Sequence, residues 1–364
     1  MQHVNRGYKA CGLTALSLAL AVAASNAQAQ SAVQFYGLVN LGVSSQQLSG
    51  QARVLALANG DMTTSYYGIR GSEDLGDGLK ASFSAEGFFR ADTGEVGRGN
   101  SDTLFQRQAW VGLSKDGIGT LRLGRLPTPN WLTSIKFGPF GGASITPYVM
   151  QTYLPSALQP MLTGSGMSDA SWANSIGYSS PVFGGFSALA VVALSEGGVN
   201  GKRFGASVNY DQGPLAASLS YEKLSRMSLP FGAPVPPLAT PARPSFLATG
   251  DRTAQLAASY DFTIAKLFGQ HSQTRLTDLA AREIELTTSQ LGVSVPLGLG
   301  KFMLSWAHTG KKQSAAADLA RTTFTIGYDY SLSRRTDAYI AYLHDKVTNL
   351  NTGNTYTVGL RHSF

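Results

Sequence analysis

The sequence predicts an all-β protein, a 16-stranded antiparallel transmembrane β-barrel. Three observations carry that reading. Alternation of apolar and polar residues recurs in segment after segment, and a period of two is the signature of a strand with two unlike faces. No apolar run of 18 residues follows the first thirty residues, so a membrane helix is excluded while membrane strands, which need only about 9–11 residues, are not. Connections alternate between short turns, such as 211–214, 296–300 and 331–335, and longer segments, such as 46–61, 92–104 and the Pro-rich 226–250. Short on one side and long on the other is how barrel strands are joined.

Residues 1–29 read as a secretory signal. His3, Arg6 and Lys9 are basic, 13–24 are apolar, and Ala27 and Ala29 offer a small-residue cleavage site after Ala29. The one cysteine, Cys11, leaves with this leader, so disulfides play no part. Without Arg6 and Lys9 the balance is 27 Lys+Arg against 22 Asp+Glu, a net +5. No basic run with interleaved aromatics occurs, so a nucleic-acid partner is not expected.

The barrel occupies 30–364. In 33–45, Val33, Phe35, Val39, Leu41 and Val43 oppose Gln34, Tyr36, Asn40, Gly42 and Ser44. Strands follow at 62–73, 79–91, 105–115, 119–126, 171–181 and 186–196. In 203–211, Phe204, Ala206, Val208 and Tyr210 share a face, and 215–225 follows. Strand 251–262 sets Leu256, Ala258, Tyr260 and Phe262 against Gln255, Ala257, Ser259 and Asp261. The series closes with 265–276, 286–296, 300–309, 319–331, 336–346 and 353–364, although 186–196 and 265–276 alternate poorly. A soluble sandwich would also alternate. Polar faces of Gly, Ser, Thr, Asn and Gln, and aromatics near the ends of the apolar faces, favour the barrel with a wetted interior. An even count of sixteen leaves room for an aqueous channel.

The final strand has a special task. An open sheet edge in lipid leaves backbone groups unsatisfied, so the last strand must pair with the first. Tyr356, Val358, Leu360 and Phe364 fall on one face of that closing strand.

The stretches "GSEDLGDGL" (71–79), "RQAWVGL" (107–113), "NSIGYSSPVFGGF" (174–186) and the terminal "GLRHSF" resemble the general trimeric porins of Gram-negative bacteria, of the β-proteobacterial type. The resemblance implies an outer-membrane homotrimer, in contact with outer-membrane lipid and lipopolysaccharide, that passes small hydrophilic solutes. It also implies a third extracellular loop folded into the lumen, and a C-terminal strand read by the assembly machinery. No cofactor is implied.

The segment 127–170 is the candidate constriction loop, with Trp131, Phe137, Phe140, Tyr148 and Tyr153 as anchors. From Gly117 to Ser168 there is no Asp or Glu, while Arg122, Arg125 and Lys136 are present. Cations without counterions attract anions, so an anion-preferring pore is expected. By parity with Leu121 and Leu123, Arg122 faces the lumen. The resemblance places a constriction arginine at Arg125, though its own parity differs. It also implies arginines where this chain has Tyr66 and Ala173. Lys80, Glu86 and Arg90 share the polar face of their strand and are expected on the wall. Arg70 lies before a short turn and either lines the lumen or pairs with Glu73 or Asp74 at the rim.

An enzyme is not expected. The barrel has no G-x-S-x-G and no H-E-x-x-H. Its four histidines, His271, His308, His344 and His362, read as rim polar residues, with His308 and His344-Asp345 as the only catalytic alternative. Asp92, Glu95 and Asp102 do not have calcium-loop spacing, so no metal is expected. A substrate-specific channel for small organic anions is a second reading.

Overall fold

A computed structural model describes residues 32–100, 102–153, 170–195, 201–225, 227–229, 246–278, 283–313 and 318–364. The signal residues Ala27 and Ala29, the end of the constriction segment (154–169) and most of the Pro-rich segment lie outside these residues.

The strands in chain order are β1 (Ala32–Gln46), β2 (Val54–Asn59), β3 (Tyr66–Gly76), β4 (Leu79–Phe88), β5 (Gln108–Lys115) and β6 (Gly119–Pro127). Two helices follow, α1 (Pro129–Lys136) and α2 (Pro147–Thr152). Then come β7 (Ser171–Ser179), β8 (Phe186–Ala193), β9 (Arg203–Gln212), β10 (Leu215–Leu224), β11 (Met227–Leu229) and β12 (Phe246–Asp261). The rest are β13 (Lys266–Asp278), β14 (Glu283–Leu297), β15 (Gly300–Gln313), β16 (Leu319–Ser331), β17 (Thr336–Val347) and β18 (Gly353–Ser363).

These eighteen segments make sixteen staves. β2 and β3 pair with the two halves of the same strand, β1, and so form one interrupted stave. β11 prolongs β10 alongside β12. Every neighbour is antiparallel, and β1 pairs with β18 to close the ring, with Val43 opposite Val358 and Leu41 opposite Leu360. The predicted all-β, sixteen-stranded barrel is therefore present. Closure satisfies every edge, which a membrane requires.

Phe364 completes the seam. Its backbone N–H donates to the Gly37 carbonyl (3.1 Å), and the Gly37 N–H donates back (3.2 Å). Its ring lies 5.6 Å from that of Phe35. Gly37 makes the approach possible, because a Cβ there would stand 2.4 Å from the Phe364 ring.

The faces separate as the alternation requires. Val43, Leu256, Leu291 and Ile340 are more than half exposed, while Asn40, Gln255, Gln290 and Thr325 are buried. The apolar face looks out and the polar face looks in, the arrangement suited to lipid outside and water inside. β14 and β15 run several residues beyond the predicted 286–296 and 300–309. Their outward faces turn polar there, with Glu285, Thr287 and Lys312, so the alternation ends before the strand does.

β2 lies within 46–61, expected as a long polar connection, and is separated from β3 by a break at 60–65. Asn40 fills it, its side-chain oxygen accepting from the N–H groups of Met62 (3.0 Å) and Thr63 (3.1 Å). Those donors would otherwise be orphaned inside the wall.

Candidate pore constriction

Two unlike walls face each other across the barrel. The first is covered by the segment after β6. Thr128 caps α1, its hydroxyl accepting from the Trp131 N–H (3.3 Å), and Pro129 occupies the first turn, where no backbone N–H is needed. α1 lies against β8, β9, β10 and β12, and α2 lies against β14, β15 and β16.

The hydrogen bonds of this segment run to groups on the inward face of the strands. Glu222 is fully buried and accepts from the Asn130 N–H (2.7 Å) at the start of α1. Gln270 donates to the carbonyls of Ser134 (3.3 Å) and Phe137 (3.1 Å), and Gln290 also donates to Phe137 (3.3 Å). Gln151 on α2 donates to Thr323 (2.8 Å) and to the Ala307 carbonyl (3.1 Å), and Thr325 donates to the Ile145 carbonyl (2.7 Å). A buried ion pair, Arg321 with Asp345 at 2.8 Å, sits under the Met150 carbonyl.

Apolar packing accompanies these bonds. Phe137 is 0 % exposed against Ala216 and Ala257. Phe140, Ile145 and Met150 form a cluster with Met303, Tyr339 and Leu343. Pro139 presses onto Gly292, where a Cβ would meet the proline ring at 2.7 Å. Burial pushes the phenols of Tyr148 and Tyr153 up from their ordinary value, so both are neutral hydrogen-bonding groups.

The second wall, on β1 to β7, carries guanidinium groups stacked on aromatic rings. Arg70 lies 4.5 Å from the Tyr36 ring and donates to Gln34 (2.8 Å). Arg122 lies 4.9 Å from the Trp110 ring and reaches Ser179 at 3.4 Å. Arg107 lies 4.2 Å from Tyr66 and pairs with Glu86 at 3.1 Å. Glu86 also accepts from Tyr36, Gln108 and Ser84, so its charge is held by four donors. Such stacks hold the planar groups in place and are worth roughly 0.5–2 kcal/mol each.

The remaining expected residues are distributed as follows. Lys80 is exposed near the short-turn end of β4 and forms no ion pair among the described residues. Arg90 is tied into the segment between β4 and β5 by Glu95 (2.8 Å) and Asn100 (2.9 Å). Arg125 follows a register shift in β6 and donates to the Gln106 carbonyl (2.7 Å), on that same segment. There, burial alone would raise the Asp102 carboxyl, but the Arg98 guanidinium and N–H hold it below the usual range. Lys136 projects from α1 and pairs with Asp211. Arg70, Arg122 and Lys80 thus stand on the second wall without a carboxylate partner among the described residues.

Sequence reasoning missed Arg107, Tyr36, Trp110 and Glu222. Parity hides Arg107, whose odd position would send it outward; it sits just before β5 and turns back to Glu86. For Glu222 a glutamate on a polar face was the available signal. All four histidines lie on the outward face or seam, each beside a cross-strand partner: His271 with Ser289, His308 with Thr322, His344 with Asn354, His362 with Thr336.

Residues 14–350 match a family described as Gram-negative porin. The chain is 32% identical to outer membrane porin protein 32 of Delftia acidovorans, over 96% of this chain and 99% of that protein. It is 27% identical to an outer membrane porin protein of Bordetella pertussis, over 95% of this chain and 97% of that protein. Among solved structures it is similar to the anion-selective porin from Comamonas acidovorans, with TM-score 0.72 and 28% identity, over 92% of this chain and 100% of that one.

Proposed function

Because this chain belongs to the Gram-negative porin family and forms a channel in the outer membrane, we propose that its channel prefers anions and is narrowed by residues 128–153 folded inward. One observation carries the preference. The wall left uncovered by α1 and α2 bears Arg70 and Arg122, while Arg107 is cancelled by Glu86, Lys136 by Asp211, and Lys80 stands opposite Asp74 at the short-turn end. Residues 117–168 add no acid. In a water-filled passage an uncancelled cation enriches anions and depletes cations nearby. The similar porin from Comamonas is described as anion-selective, which supports the same reading here.

Three further assignments belong to it. The leader 1–29 is removed after Ala29, so the mature chain begins at Gln30. The chain assembles as a homotrimer through part of its outward apolar face. Tyr356, Val358, Leu360 and Phe364 are the outward residues available to the assembly machinery. We read the protein as a channel without enzymatic chemistry, since the histidines pair with hydroxyl and amide neighbours rather than with a nucleophile and acid.

Swelling of liposomes carrying the purified protein tests the preference. Small organic anions should enter faster than cations of the same size. Equal rates, or faster cations, contradict it.

A further inference from the structure

The wall beneath α1 holds a carboxyl group whose surroundings suit a neutral acid. Glu222 on β10 is sealed from water. Its Oε1 accepts from the Asn130 N–H (2.7 Å), and the Thr128 hydroxyl faces the same carboxyl. Its Oε2 is buried without a hydrogen-bond partner. Two neighbours on the same face share that condition. Ser220 lies two residues back along β10, and Gln255 on β12 stands directly opposite Ser220. Both are buried, and the Ser220 Oγ and Gln255 Oε1 have no partner. Gln255 donates through its amide nitrogen to Ser134 on α1 (3.2 Å) and Gln270 on β13 (2.9 Å), which leaves its oxygen towards β10. Buried polar atoms rarely stay unpaired. A proton on the Glu222 Oε2 supplies the donor that this group of oxygens lacks.

The charges around Glu222 do not call for an anion. No cation is among the groups that act on it. From β12 the inward acid Asp251 faces the same space, and both acids act on Tyr153. From β9 the charged residue is Arg203, placed opposite Leu224 and not paired with Glu222. The constriction segment presents Tyr148 and Tyr153, both neutral, and Lys136 at the far end of α1 is paired with Asp211. β13 presents Ser272 and Thr274. Sealing a carboxylate from water is costly, and the positive end of α1 offsets only part of that cost.

We propose that Glu222 is a positioning residue of the constriction, a protonated carboxyl that locks α1 to the wall and releases it in alkali. The proposal rests on the reading of 128–153 as the narrowing segment. Once α1 leaves the wall, Glu222 meets the water of the lumen and ionises as an ordinary carboxyl. The packed state then holds a proton that the released state lacks, so packing is lost as pH rises through the range in which the packed carboxyl ionises. One proton changes the ratio of packed to released segment by up to about tenfold per pH unit. α2 is held by Gln151 and Thr325, which carry no titrating proton, so α1 moves and α2 stays.

The test records single-channel conductance of the full-length protein between about pH 5 and about pH 9, for wild type, Glu222→Gln and Phe137→Ala. Wild type should be quiet in acid and show excursions to higher conductance that multiply as pH rises. Glu222→Gln keeps a donor and an acceptor without a titrating proton, and should stay quiet throughout. A wild type indifferent to pH overturns the proposal. So does a Glu222→Gln channel that still responds to pH, or one that behaves at every pH as wild type does in alkali. Phe137→Ala separates the two readings. If it widens the channel while wild type ignores pH, the lock falls and the narrowing stands; if neither change is seen, both fall.

Discussion

Truncating Phe137 should free the constriction segment from the wall. The ring is 0 % exposed and packs on Ala216 and Ala257, small residues with no means of closing the gap. Phe→Ala at such a site costs about 3–5 kcal/mol. The backbone bonds from Gln270 and Gln290 to the Phe137 carbonyl do not depend on the side chain and remain. A loss of about 3 kcal/mol shifts the balance between packed and released segment by roughly a hundredfold. Single-channel recording reads this directly. Phe137→Ala should show noisy excursions above the wild-type conductance, and Phe137→Leu much fewer. A folded Phe137→Ala protein with the wild-type mean conductance and noise would refute the inward placement of the segment.

Other expectations are tied to single groups. An ion about 6 Å from a wall guanidinium gains or loses about 0.4 kcal/mol in water at 0.1 M salt, so Arg122→Gln should lower the anion-to-cation permeability ratio about fourfold. A shift in reversal potential towards the cation side measures it; an unshifted potential removes Arg122 from the selective wall. The Asp102 carboxyl is held low by Arg98, so its contact stabilises the segment between β4 and β5 above the ordinary carboxylate range, about pH 4. That stabilisation fades as pH falls through the depressed folded value. At a fixed acid pH above the depressed value, pepsin should therefore cut this segment more slowly in wild type than in Asp102→Asn, and the difference should vanish in stronger acid; equal rates throughout would contradict it. Phe364→Ala should lower seam stability by about 1 kcal/mol through the lost ring pair with Phe35, seen as earlier heat conversion of the folded band in gels.

Much of the barrel was legible because its signal is local. Each stave shows its two faces within ten residues, as Val39 and Asn40 or Leu256 and Gln255 do, and lipid outside with water inside forces that pattern. The signal stops where lipid no longer covers the outward face. β14 and β15 continue past the lipid with Glu285 and Lys312 outward, and β14 there buries Ile284 and Leu286 inward, so their predicted ends fell short. The interruption at 60–65 depends on Asn40, twenty residues earlier, which no window around the break contains. The site was legible as a set of charges rather than as a field. Arg122 could be placed by the parity of its neighbours. That Asp211 would meet Lys136, 75 positions away, or that Glu86 would gather Tyr36, Arg107 and Gln108, depends on how the ring closes.

In the proposed reading, Arg70 and Arg122 on the uncovered wall set the preference of the channel. The most direct measurement is the reversal potential of the wild-type protein in a planar bilayer under a tenfold gradient of potassium chloride. The potential should be displaced towards the chloride equilibrium value, with the displacement shrinking as salt rises and screens the wall. A potential displaced towards the potassium value would contradict it, because the wall acids, and not Arg70 and Arg122, would then govern the pore.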